Sequence, residues 1–228
     1  MLLDVLTASI LGGILCLDRV FVQAALSRPI VAGALVGLIL GEPRSGLLTG
    51  ALVELFWVDQ FQIGAYIPPN DSVAAIVITA GTVISGKALG GISKELVATA
   101  VLLFIPLGIL GRQMDIAIMR ANDGLSRRAL SDAVNGDLAG VEKKQLCGLA
   151  GYFLASVGFL AVFTLVAEGT LLWVYPAIPE KVFPALKYVY SFLPLLGIAV
   201  ALNTIKLKGM VPVFCAVFLA VAVLIDLA

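Results

Sequence analysis

Residues 53–71 read VELFWVDQFQIGAYIPPND and bring Glu54, Asp59, Gln60, Gln62, Asn70 and Asp71 into one short stretch. Carboxylates accept hydrogen bonds, and side-chain amides both donate and accept them. Such a set matches a sugar, whose hydroxyls also do both. Glu54, Gln60, Gln62, Asn70 and Asp71 are therefore the candidate binding residues. Pro68-Pro69 removes two backbone N–H groups and holds the chain extended, which leaves nearby carbonyls free for water or ligand. A structural use of the same residues is equally open. Glu54 can pair with Arg28 or Arg44, and Pro-Pro-Asn-Asp can be a solvated turn.

Catalytic chemistry has little to work with. The chain contains no histidine, which excludes a Ser-His triad, an HExxH zinc site and a histidine general base. No GxSxG nucleophile elbow and no GxxxxGK[ST] phosphate loop occurs. Asp59 and Asp71 lack the small-residue flanks that an intramembrane aspartyl protease pair would need. Cys16, Cys147 and Cys215 are far apart and show no metal or disulfide spacing, so no metal and no cofactor is expected. Net charge is zero, which argues against a nucleic-acid partner.

The elements that must carry the polar stretch are apolar. Of 228 residues, 61% are hydrophobic and 13% charged, against roughly 45–50% and 25% in soluble domains. Mean hydropathy is +1.07. Charge-free runs cover 96–111, 145–167, 188–205 and 209–225, and the second and third reach the roughly 18 residues of a spanning candidate. The chain reads as an all-α polytopic membrane protein forming a single membrane domain over 1–228. Asp4 stands where a signal peptide would be basic, so no cleavable leader is expected. Asp18-Arg19 and Glu42-Arg44 read as interfacial charges, and Trp57, Trp173, Tyr175 and Tyr188 as interface anchors.

The N-terminal part, 1–111, is punctuated. Its apolar pieces, 5–17, 29–41, 46–53 and 72–86, are all shorter than a span. Short, Gly/Pro-interrupted segments point to broken or re-entrant helices lining a cavity. Gly33, Gly37 and Gly41, then Gly46 and Gly50, make GxxxG steps, which allow close backbone approach. Residues 112–145 hold six of the 15 basic residues and five of the 15 acids, and read as amphipathic helices on the cytoplasmic face. Longer spans are expected in 146–228, at about 146–167, 182–205 and 209–227, with a shorter piece at 169–178.

The order of motifs adds a resemblance. Ser27-Arg28-Pro29-Ile30-Val31-Ala32-Gly33 leads into Gly37-Leu38-Ile39-Leu40-Gly41-Glu42. Gly50-Ala51-Leu52-Val53-Glu54-Leu55, Gln62-Ile63-Gly64-Ala65 and Pro68-Pro69-Asn70 follow. This resembles the membrane subunit IIC of mannose/sorbose-type sugar phosphotransferase systems, whose pattern runs RPLVxGxxxGxxLGD, GxxxEL, (N/Q)IGA and PxD/N. Ile178-Pro179-Glu180 and residues 203–214 extend the likeness over essentially the whole chain. Glu54 takes the GxxxE glutamate, Gln62 the residue before IGA, and Asn70 the acid-or-amide position after proline. Glu42 replaces the usual Asp, and Asp59 stands near a usual glycine.

The resemblance implies a multi-pass protein of the bacterial inner membrane that translocates a sugar. Its implied partners are a IID membrane subunit, soluble IIA and IIB phosphocarriers, membrane lipid and an oligomeric assembly. The phosphoryl group would travel on histidines of the soluble subunits, which suits a chain with none. A IIC-like scaffold or sensor for phosphocarriers, without transport, is the alternative.

Overall fold

A computed structural model describes residues 1–60, 64, 66–205, 212–213 and 216–217. The described residues form helices and contain no strand. In order these are α1 (Leu2–Val20), α2 (Pro29–Ile39), α3 (Pro43–Phe56), α4 (Asp71–Ala88), α5 (Lys94–Phe104), α6 (Leu107–Val134), α7 (Leu138–Ala177) and α8 (Phe183–Ile205). A short 3-10 turn, Glu180–Val182, precedes α8. The all-helical fold with short helices in the N-terminal half and long ones after it agrees with the expectation.

Helix starts follow local chemistry. Pro29 and Pro43 open α2 and α3, where a missing N–H costs nothing. Asn70, Ser93 and Asp137 cap α4, α5 and α7 by accepting from the N–H of Val73, Leu96 and Gly140. Between α5 and α6, Pro106 cannot continue the ladder, and the two helices meet at a 43° bend.

Helix α4 is the centre. Every residue from Ser72 to Gly86 is buried, as expected of a helix that is apolar all round. Helices α1, α2, α3, α5, α6 and α7 all pack on it. Helices α2 and α3 form a tight hairpin. A Cβ on Gly33 would lie 2.7 Å from the Gly46 carbonyl oxygen, and one on Gly37 2.7 Å from the Gly46 Cα. The glycine steps thus bring two backbones into direct contact, with Gly41 at φ +81° in the turn.

Among the described residues three helices are long and apolar enough to cross a membrane, or four if α5 and α6 act as one bent span. Helix α7 has 40 residues, about 60 Å, twice the roughly 30 Å hydrocarbon core. Its buried face begins only at Tyr152 and continues through Ser156, Leu160, Thr164, Ala167 and Leu171. On α6 the last buried residue is Asp115. The stretch 116–151 is therefore a helical hairpin projecting beyond the packed body, clasped by the Lys144–Asp132 ion pair. It runs without a break into both neighbouring spans. Helix α7 also passes through 167–169 unbroken, because Glu168 is buried against α4, where Ser85 Oγ donates to its carbonyl.

Candidate functional site

The site grows from the first turn of α4. The Asn70 side chain has two tasks. Its Oδ1 accepts from Val73 N at 3.1 Å, and its Nδ2 donates to both oxygens of Asp115 at 3.2 and 3.0 Å. Glycine lets α6 come close enough for this. Asn70 N donates to the Gly108 carbonyl at 2.8 Å, and a Cβ on Gly111 would lie 2.8 Å from Asn70 Cβ. One turn after Gly111 stands Asp115, whose Oδ1 also accepts from the Tyr152 hydroxyl of α7 at 3.1 Å.

Asp71 adds the charge. Its Oδ1 lies 2.6 Å from Arg19 Nη1 at the end of α1 and accepts from Ser72 N. Arg19 Nη2 donates to the Pro69 carbonyl at 3.3 Å, so a carbonyl in the proline turn is used by the protein itself. Arg19, Asn70, Asp71, Asp115 and Tyr152 thus join α1, α4, α6 and α7 in one network.

Next to this network opens a cavity of about 660 Å³, within the roughly 300–1,000 Å³ of small-ligand sites. Arg19, Asp115, Asn122, Ser126, Gln145 and Tyr152 give it polar groups, and Ile67, Ile118, Leu125 and Leu149 apolar wall. One lip is the α1–α2 loop, which also contributes Phe21 and Gln23. Asp18 pins that loop by accepting from Ala24 N at 2.7 Å and Ser27 N at 3.0 Å. The Ser27 carbonyl in turn accepts from Ser72 Oγ at 2.6 Å. Gln23 and Ala25 hold φ of 57° and 63°, a conformation uncommon outside glycine.

The residues singled out from sequence fall into two groups. Asn70 and Asp71 belong to the network beside the cavity. Glu54 does not touch it. Its Oε2 accepts from Ile30 N at 2.9 Å, at the positive end of α2, and its Oε1 lies 3.5 Å from Arg28 Nε. Gln60 donates to Asp59 at 3.1 Å and accepts from the Tyr66 hydroxyl at 2.7 Å. Gln62 lies outside the described residues. Trp57 packs on Gly108, where an added Cβ would meet its ring at 2.6 Å.

Arg19, Asp115 and Tyr152 were not legible as site residues. Arg19 reads as an interfacial charge, and Asp115 disappears among the charges of 112–145. One signal was available: Asp115 stands less than one turn beyond the charge-free run 96–111 and Arg112.

A family model described as the sorbose-specific IIC component of the phosphotransferase system matches residues 2–227. The chain belongs to this family. It is 26% identical over 199 residues to the mannose-specific EIIC component of Escherichia coli K12, covering 86% of this chain and 71% of that one. Identity to the sorbose-specific EIIC component of Klebsiella pneumoniae is 28% over 193 residues, covering 85% and 70%. A cryo-EM structure of the mannose transporter ManYZ with microcin E492 shares the fold. Its TM-score is 0.64 at 22% identity, over 97% of this chain and 87% of that one. This IIC is the sugar-transport component of a mannose/sorbose-type phosphotransferase system and a multi-pass protein of the inner membrane.

Proposed function

We propose that the cavity beside the Arg19–Asp71 and Asn70–Asp115–Tyr152 network holds the sugar. One observation carries the reading: Asp115, fixed by two partners and buried at 7% exposure, lines a cavity whose other polar groups are the amides of Gln23, Asn122 and Gln145, the hydroxyls of Ser126 and Tyr152, and the paired cations Arg19 and Lys144. Membrane proteins spend ionisable groups at depth where a polar solute must pass. Asn70 and Asp71 enter as the residues that fix Asp115 and Arg19. Glu54 fixes the start of α2, and Gln60 and Gln62 are candidate hydroxyl partners on the segment leading into the site.

The subunit works beside a IID membrane subunit, and IIA and IIB carry the phosphoryl group to a sugar delivered at the inner face. The names of the mannose and sorbose relatives support this assembly, as does a chain without a histidine to phosphorylate. The test is uptake and phosphorylation of a hexose panel by the reconstituted complex. A hexose taken up only with IIC present, and held less tightly when Tyr152→Phe loosens Asp115, is the expected result. Unchanged affinity in Tyr152→Phe and in Asn122→Ala would remove the sugar from this cavity.

A further inference from the structure

Buried polar atoms without a partner are not scattered through this chain. Among the described residues six buried side-chain nitrogen and oxygen atoms find no hydrogen-bond partner, and five of them lie on α4 and α7. These are the hydroxyls of Thr79, Thr82, Ser156 and Thr164 and the Oε1 of Glu168. The four hydroxyl residues are fully buried, and Glu168 is 4% exposed. A buried hydroxyl within a helix commonly donates to the carbonyl one turn back. Ser9 and Thr99 do this, at 2.7 Å to the Val5 carbonyl and 2.8 Å to that of Glu95. The hydroxyls of Thr79, Thr82, Ser156 and Thr164 do not.

Spacing gathers most of this set into one seam. Thr79, Thr82 and Ser85 recur every three residues on α4, and Thr164 and Glu168 stand four apart on α7. Residues so spaced are neighbours on one side of a helix. The two rows meet where Ser85 Oγ donates to the Glu168 carbonyl at 3.4 Å. Gly81 lets the backbones close there, since a Cβ on it would lie 2.9 Å from Ala167 Cβ. Ser156 is set apart, because the fully buried Leu160 stands between it and Thr164 and packs on Gly12 beside Ile76. Thr164 lies about 18 Å along α7 from Tyr152, so the seam is distinct from the cavity.

We propose that the α4–α7 seam is a binding site for internal water, anchored on the Glu168 carboxyl and shared by the hydroxyls of Thr82, Ser85 and Thr164. An ordered internal water needs about two to four polar partners. Water both donates and accepts, which suits hydroxyls and a carboxyl alike. A carboxyl is also among the costliest groups to bury dry. A metal cation is poorly served, since no group of three acidic, Cys or His side chains exists among the described residues and hard cations take about six or more oxygens. Seven residues beyond Glu168 the Tyr175 hydroxyl meets that of Ser93 at 2.7 Å, in a partly buried position, and this end of the seam is where water exchanges. The inference stands whether or not the cavity is the sugar site.

Two measurements on the protein in lipid nanodiscs test it. A cryo-EM map fine enough to show ordered water should hold density within hydrogen-bond distance of Glu168 and Thr164. Thr82→Val and Thr164→Val keep the side-chain shape and remove the hydroxyl. A dry, unpartnered hydroxyl is a liability, so its removal would leave Tm unchanged or raise it. A hydroxyl that holds water contributes a bond, and at least one of the two variants should lose a few degrees of Tm. A map without density there, or a Tm that falls in neither variant, overturns the proposal. A wild-type Tm that drops when choline replaces sodium and potassium, with no drop in Glu168→Gln, would assign the density to a cation and overturn it as well. If neither valine variant accumulates, the wild-type map decides alone.

Discussion

Single residues show how the polar stretch is shared between structure and site. Glu54 sits where an anion offsets the positive end of a helix, so its first task is to hold the start of α2. Glu54→Gln keeps an acceptor for Ile30 N, and Arg28, half exposed, contributes at most about 1 kcal/mol through its 3.5 Å pair. Glu54→Gln should therefore fold with a small drop in Tm. Glu54→Ala, which orphans the Ile30 N–H, should cost about 1–3 kcal/mol. Equal Tm for wild type and Glu54→Ala in detergent would show that the contact is not stabilising. Arg19→Met strips Asp71 and the Pro69 carbonyl of a donor, a loss of roughly 1.5–3 kcal/mol for a charged hydrogen bond. Arg19→Met/Asp71→Asn should recover part of that stability, and a double variant weaker than the single one would disprove the pairing. Glu54, Asn70 and Asp71 stood out in the sequence because they are polar among apolar neighbours. Arg19 and Asp115 did not, because their neighbours in sequence are charged and only packing separates buried from solvated.

At the scale of elements, glycine decides what may approach what. The steps at Gly33, Gly37, Gly46 and Gly50 were readable, since i, i+4 small residues share a helix face. Gly37→Leu would drive a side chain into the Gly46 backbone, 2.7 Å from its first added atom. It should lower the yield of membrane-inserted protein several-fold, and normal accumulation would refute the close packing. Gly108 and Gly111 were not readable, because nothing in the sequence says that α6 meets Asn70. Gly111→Ala places a methyl 2.8 Å from Asn70 Cβ and should push Asp115 away from its partner, weakening sugar binding. Gly124→Ala, with nothing within 4 Å of the added carbon, is the control. It should bind sugar normally and gain up to about 1 kcal/mol in helix stability. Equal sugar affinity in the two variants would show that the α6 approach does not set the site. The unbroken α7 was misread in the sequence as two pieces, since Glu168 looks like an end in hydropathy although α4 buries it in the middle of a helix.

For the whole molecule the question is which side of the membrane the long hairpin occupies. The span at 182–205, the mixed short and long helices and the charged 112–145 stretch were legible, because hydropathy reports the bilayer directly. Helix α4, read as shorter than a span, is long and apolar enough to cross, and the span expected at 209–227 lies outside the described residues. The geometry that unites them was not, since the cavity is closed by α1, α6 and α7, distant in sequence. The hairpin is expected on the cytoplasmic side from its clustered basic residues, and Ser126 and Ser131 are exposed on it. Cysteines introduced one at a time at these positions, with Cys147 and Cys215 changed to Ser and the buried Cys16 kept, should react with an impermeant maleimide in inside-out vesicles and not in intact cells. Only Ser126 lines the cavity, so a bound sugar should slow labelling at Ser126→Cys several-fold and leave Ser131→Cys unaffected. Labelling in intact cells would invert the topology and take the cavity away from the phosphocarriers. Equal protection at both positions would mean that sugar closes the hairpin as a whole instead of occupying the space beside Asp115.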